Sequence, residues 1–120
     1  MCFLKEKIRT TALFQKAWKN DPSAMPLHDL MDSATVNGAR ALGLETGVIK
    51  EGAIADLSIV DIDNSYFISP GSFLANLVYA AHSDTISSVI ASGRFVMRDR
   101  VIPGEAEILT EARKVLKQIQ

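Results

Sequence analysis

The apolar residues change their spacing once along this chain, and that change limits the folds open to it. Up to residue 42 they recur at helical intervals; from residue 57 they alternate and are mostly β-branched. Over 2–19 there is no Gly or Pro. Leu4, Ile8 and Ala12 form one stripe, with Phe14, Ala17 and Trp18 beside it, which predicts a helix ending at the breaker cluster Asn20-Asp21-Pro22-Ser23. A second helix is predicted over 26–42. Pro26 suits its first turn, Leu27, Leu30, Met31, Ala34, Gly38 and Leu42 share a face, and Gly43 stands at the C-cap. Small Gly38, Ala39 and Ala41 would let another backbone approach.

Leu57 to Ile62 then reads as a strand, with a further short strand possible at Val48-Ile49. Residues 63–75 read as a loop and 73–81 as one or two helical turns. Ile86–Ala91 and Arg94–Arg98 read as a hairpin about Ser92-Gly93, and Val101-Ile102 as a short strand closed by Pro103-Gly104. A last helix over 105–119 carries Leu109, Ala112, Val115, Leu116 and Ile119 on its apolar face. Helices and strands thus segregate along the chain, which predicts an α+β fold.

Composition excludes several function classes. Thirteen basic against fourteen acidic residues give a net charge of −1, which calls for no nucleic acid. The longest apolar runs, such as Leu77 to Ala81, are too short to span a membrane. No continuous apolar stretch follows Lys5, Lys7 and Arg9, so no signal peptide is read. A single cysteine, Cys2, permits no internal disulfide and fits a reducing, cytoplasmic setting.

Catalytic patterns are scarce. His28 and His82 are the only histidines, and neither sits in a His-x-His or His-Glu-x-x-His spacing. His28 reads as a surface residue of a helix's first turn. His82, in a loop ahead of Ser83-Asp84, is the better functional candidate, and with Asp84 or Asp99 it could complete a Ser-His-Asp set on paper. No Gly-x-Ser-x-Gly supports that set, and no phosphate-binding glycine loop is present. Cys2 reads as inert. Arg94, Arg98 and Arg100 form a basic cluster on the hairpin that reads as a solvated face. Gly47, Gly52 and Gly93 mark turns, and Asp56 is placed to bind neighbouring backbone N–H groups and set how the strand begins.

One pair of motifs is more specific. Ala34-Thr35-Val36-Asn37-Gly38-Ala39-Arg40-Ala41-Leu42-Gly43 is followed by Thr46-Gly47-Val48-Ile49-Lys50-Glu51-Gly52-Ala53-Ile54-Ala55-Asp56-Leu57. Together they resemble the C-terminal part of the metal-dependent amidohydrolase superfamily, in the branch of cytosine deaminases, adenosylhomocysteine deaminases and triazine chlorohydrolases. Leu77-Val78-Tyr79-Ala80, the Val89–Val96 hairpin and the helix from Phe3 to Lys16 extend the resemblance to nearly the whole chain. Two departures stand out: Ala53-Ile54-Ala55 where a polar residue usually follows the Gly, and Ser92 where Asn commonly precedes Gly93.

The resemblance implies a larger enzyme, built on a (β/α)8 barrel that holds the metal and a small β-sandwich made from both chain ends. Residues 1–44 would be the last outer helices of the barrel. Residues 45–120 would be the C-terminal strands of the sandwich with a terminal helix. The ligands are a His-x-His, two later histidines and an Asp on the last barrel strand, and none has a matching position here. Asp56 matches a sandwich residue of the family. No catalytic, cofactor-binding or metal residue is therefore assigned to this chain, which would be scaffold only.

For the whole enzyme the resemblance implies zinc or iron and hydrolysis of C–N or C–Cl bonds on a small nitrogen heterocycle, a metal-activated hydroxide attacking the ring carbon. It also suggests a homo-oligomer. Two alternatives stand beside it: a non-catalytic interaction module, and a small enzyme using His82 and Asp84.

Overall fold

The first helix, α1 (Cys2–Lys19), has the bounds that its spacing predicts. A computed structural model describes residues 2–119; the side chains of residues 2–5, Cys2 among them, lie outside the described residues. The chain reverses after α1 through Asn20, which takes the left-handed conformation at φ 48°. Lys16 Nζ donates to the carbonyls of Pro22 and, at 3.0 Å, Ala24, while the Asp21 carboxylate accepts from the Ser23 N–H at 2.8 Å. That loop delivers the chain into α2 (Leu27–Ala34), which packs on α1.

The single helix predicted over 26–42 is instead two. α2 stops at Thr35, whose φ −123° and ψ −90° are not helical, and α3 (Val36–Ala41) follows at once. The Thr35 hydroxyl donates to the Met31 carbonyl at 2.7 Å, a local bond that competes with the helical ladder. The backbone at Gly47 lies against the break: a Cβ there would stand 2.8 Å from the Thr35 carbonyl carbon and oxygen. Gly38 plays no such part, since a Cβ on it would meet only the Ser33 carbonyl oxygen, at 3.4 Å. Because a mid-helix glycine costs about 0.5–1 kcal/mol relative to alanine, Gly38→Ala is expected to leave the melting temperature of this chain unchanged or slightly raised.

Three antiparallel strands form one sheet in the order β1-β2-β3: β1 (Leu57–Val60), β2 (Ile86–Ala91) and β3 (Arg94–Met97). Leu57 pairs with Ile90, which pairs with Phe95 across the hairpin. Neither Val48-Ile49 nor Val101-Ile102 is a strand; the latter region makes one isolated bridge, Arg98 with Val101. Between β1 and β2 the loop holds a short turn at Ser65–Phe67, then α4 (Phe73–Ala75). α4 runs on into a wider turn over Asn76–Ala80, in which the Ala81 N–H reaches back five residues to the Asn76 carbonyl at 2.8 Å. Buried Asn76 donates its Nδ2 to the Ser69 carbonyl at 3.2 Å and so anchors the loop.

At the hairpin, Ser92 and Gly93 both have positive φ, 49° and 77°, as the tightest two-residue turn requires. Serine tolerates this conformation less well than asparagine. Ser92→Asn is therefore expected to stabilise the fold by a few tenths to about 1 kcal/mol, read from the urea midpoint.

The core is small. Ala12 of α1, Leu30 of α2 and Val78 after α4 form its buried centre, with Ile8, Met25, Leu27, Met31 and Tyr79 packed around it. Val78 thus joins the two helices across the division drawn at residue 44. Little covers the rest. The accessible surface is 9010 Å², whereas a self-contained protein of this mass exposes about 6,400 Å². The radius of gyration is 17.4 Å, against about 14 Å for a compact chain of this length. Trp18 is 77% exposed, and every residue of α5 (Glu105–Ile119) is exposed, its apolar face included.

Candidate functional site

The polar residues that sequence reasoning singled out do not converge. His28 is exposed on α2, as its pattern suggests. His82 is exposed too, and its ring lies against Tyr66 with centroids 5.3 Å apart. Its carbonyl accepts the buried Thr85 hydroxyl at 2.6 Å. Asp84 contributes its backbone carbonyl to Arg100 Nε at 2.9 Å. Asp99 sits in the turn beyond β3, its exposed carboxylate 3.9 Å from Arg98. Among the described residues His82 forms no ion pair, so the His82–Asp84 set has no catalytic geometry.

Arg94, Arg98 and Arg100 are all exposed, as the reading of a solvated face expects. The Arg98 guanidinium stacks over the Phe95 ring at 5.1 Å, and Arg100 turns to Asp61.

What the structure does assemble is two polar clasps. The first centres on Asp56. Its Oδ1 accepts the Ser92 N–H at 2.7 Å and its Oδ2 accepts the Thr46 hydroxyl at 3.2 Å, while the Gly93 N–H donates to the Ala55 carbonyl at 2.9 Å. The Asp56 carboxylate thus binds a backbone N–H, as expected. That N–H lies at the far hairpin turn and not next to the strand start. The clasp also holds Ser92 in its left-handed conformation.

The second clasp is Arg100, which no motif announced. It has positive φ, as does Asp99, and that pair of strained residues swings its side chain back across the sheet. Its Nη2 meets Asp61 Oδ2 at 3.0 Å, and its own N–H donates to the Ser87 carbonyl at 2.8 Å. The bond from Arg100, then the Asp63 N–H, holds the Asp61 carboxyl below its ordinary value. A depressed carboxyl stabilises the fold fully above its unfolded pKa, and that contribution is lost as pH falls through the lower folded value. Arg100→Ala is expected to move the Asp61 titration upward toward the ordinary carboxylate value, followed by NMR.

No group of three or more His, Cys, Asp or Glu residues able to hold a metal is found among the described residues. The donor set here does not fit a metal centre, and both clasps are architectural. No helix among the described residues is long and apolar enough to cross a membrane. A groove of about 460 Å³ runs between the helices and β1, walled by Ile8, Met31, Leu57, Val60, Phe73 and Leu77. It is open and mostly apolar, with no set of convergent polar groups.

Comparison with known proteins gives the arrangement a context. The chain matches the model of the amidohydrolase family over residues 1–96. It is 38% identical over 117 residues to 5-methylthioadenosine/S-adenosylhomocysteine deaminase 1 of Archaeoglobus fulgidus, covering 95% of this chain and 28% of that protein. It is 34% identical over 118 residues to 5'-deoxyadenosine deaminase of Methanosarcina mazei, covering 97% and 27%. Among solved structures, an adenosine deaminase from Xanthomonas campestris with bound zinc superposes with a TM-score of 0.86 at 30% identity, over 96% of this chain and 27% of that one. A zinc-complexed atrazine chlorohydrolase from Arthrobacter aurescens superposes with a TM-score of 0.77 at 24% identity, over 92% and 25%, a likeness of fold alone. The chain spans little more than a quarter of the length of these relatives.

Proposed function

Because this chain belongs to the amidohydrolase family, we propose that it is the C-terminal portion of a metal-dependent hydrolase that deaminates an adenosine-type nucleoside. In this reading residues 1–44 are the last outer helices of the barrel, and residues 45–120 are the C-terminal share of the β-sandwich with its terminal helix. The metal, zinc by analogy with the structural relatives, and every group that touches substrate belong to the portion that this chain lacks. The chain supplies framework: Asp56 and Arg100 lock the sheet, and α1 to α3 pack as outer helices on the rest of the barrel.

One observation carries the reading. Nearly all of this chain aligns with a little over a quarter of each named deaminase, and it leaves large apolar areas bare. Hydrolysis of C–N bonds is favoured over C–Cl because the deaminases are the more similar sequences, at 34–38% identity against 24% for the chlorohydrolase.

The test is ammonia release from 5'-deoxyadenosine and 5'-methylthioadenosine. The longer protein, with its metal, is expected to release it and to stop when a chelator strips the metal. The 120-residue chain alone is expected to release none. Turnover by the chain alone, abolished by His82→Ala, would reverse the assignment. The same reading places the whole enzyme in the cytoplasm as a homo-oligomer. It also makes the isolated chain self-associate through its bare faces, so light scattering at high micromolar concentration should give a mass above the monomer.

A further inference from the structure

Of the chain's four asparagines only Asn37 is followed by glycine. An asparagine loses its side-chain ammonia when the amide nitrogen of the next residue attacks its Cγ. Glycine, with no side chain and a permissive backbone, hinders that attack least. A regular helix opposes it, because the attacking N–H is tied to a carbonyl four residues back. In an unbroken helix over 26–42 the Gly38 N–H would hold the Ala34 carbonyl, but the break at Thr35 removes that bond. The first bond of α3 runs from the Ala39 N–H to the Thr35 carbonyl at 2.9 Å. The Gly38 N–H, one residue earlier, has no acceptor among the described residues.

The side chain of Asn37 is equally open. It is exposed, and its amide makes no hydrogen bond among the described residues. Asn64, by contrast, accepts the Tyr66 N–H at 3.0 Å and donates to the Asp61 carbonyl at 2.7 Å, and buried Asn76 donates to the Ser69 carbonyl. Asn20 is exposed, but the side chain of Asp21 crowds the nitrogen that would attack. α3 has six residues, too few to hold a helix by themselves. Gly47 lies against Thr35 and Val36 on one side of the dipeptide, and buried Ala39 anchors the other. Asn37 and Gly38 stand between these two anchors, in a first turn that opens at little cost.

We propose that Asn37-Gly38 is a modification site at which the folded protein deamidates spontaneously. The Gly38 nitrogen gives up its proton and bonds to Asn37 Cγ; the bond from Cγ to Nδ2 breaks, and Nδ2 takes the proton and leaves as ammonia. The five-membered succinimide then adds water at one of its two carbonyl carbons. Opening on one side gives aspartate at position 37. Opening on the other gives isoaspartate, whose main chain runs through the former side chain and is one methylene longer. Water is the only co-reactant, and each event adds one negative charge. Aspartate in the first turn of α3 agrees with the helix dipole. Isoaspartate lengthens the backbone between the Gly47 contact and Ala39, and so loosens α3 from the core. The inference does not depend on the function proposed above.

The test incubates the full-length protein that carries this sequence at neutral pH, in buffer and in unfolding urea, and digests samples with trypsin. The peptide Asn20–Arg40 is read for a gain of one mass unit, which its fragment ions place at Asn20 or Asn37. Asn37 is expected to convert, with isoaspartate among the products, at a native rate within about tenfold of the rate in urea. Asn20, Asn64 and Asn76 should keep their amides over the same period. Gly38→Ala, which leaves the fold intact, should slow the conversion severalfold. A native rate two or more orders of magnitude below that in urea would overturn the proposal, because α3 would then shield the dipeptide; that comparison needs no variant. Conversion of Asn64 as fast as Asn37, or an unchanged rate in Gly38→Ala, would overturn it too.

Discussion

Gly47→Ala is expected to abolish the native packing of the first half of the chain. The substitution meets two obstacles together. Gly47 has φ +87°, a conformation that costs an L-residue about 1–2 kcal/mol. Its Cβ would stand 2.8 Å from the Thr35 carbonyl, against backbone that cannot rotate away. Overpacking of this kind adds about 1–3 kcal/mol. A loss of about 3 kcal/mol or more is a large share of the stability of any small domain, which is about 5–15 kcal/mol. Urea unfolding followed by far-UV circular dichroism measures it. A midpoint unchanged from that of the native chain would mean that the contact between Gly47 and the break at Thr35 does not exist. Gly38→Ala is the internal control: the neighbouring motif glycine, where a Cβ would make a single contact with the Ser33 carbonyl oxygen at 3.4 Å, should cost nothing.

Leu30→Ala is the second large effect. Leu30 is 2% exposed and lies between Ala12 and Val78 at the centre of the core. Truncating a buried leucine costs about 2–5 kcal/mol, from lost burial and the cavity left behind. Here the upper half of that range is expected, because the buried centre consists of three side chains and one of them is already alanine. Leu109→Ala on the bare face of α5 removes the same atoms from a residue 47% exposed and should change the midpoint of this chain hardly at all. A Leu30→Ala protein that unfolds at the same urea concentration as Leu109→Ala would show that the core is misplaced.

These contrasts indicate what the sequence could and could not disclose. α1, α5 and the Ser92-Gly93 hairpin were legible because each depends on local periodicity and turn chemistry, with bounds that agree to within a residue or so. The break at Thr35 was not. Its cause is a hydroxyl that bonds back to Met31 and a glycine twelve positions on that leaves room for it, and no helical period records either. Val48-Ile49 and Val101-Ile102 have strand-forming residues but find no ladder to join, so tertiary context overrode propensity.

Asp56 was picked out from its place ahead of β1, while its true partner, the N–H of Ser92, lies 36 residues away. Arg100 was seen only as one of three nearby cations. Its role depends on Asp61, 39 residues earlier, and on the two positive-φ residues that turn it there. The family motifs were legible as a pattern, and the clasps supply part of their physical reason: Thr46, Gly47 and Asp56 are the residues where the helical and sheet halves are pinned together.

The central claim is that this polypeptide is framework for a catalytic centre encoded elsewhere in the same protein. The most direct measurement is the mass of the protein that carries this sequence in its source cells, by antibody against α5 and mass spectrometry of the captured material. A protein severalfold larger, with a His-x-His barrel preceding residue 1, is the predicted result. A captured species of 120 residues, accompanied by no second chain that supplies such a barrel, would contradict it.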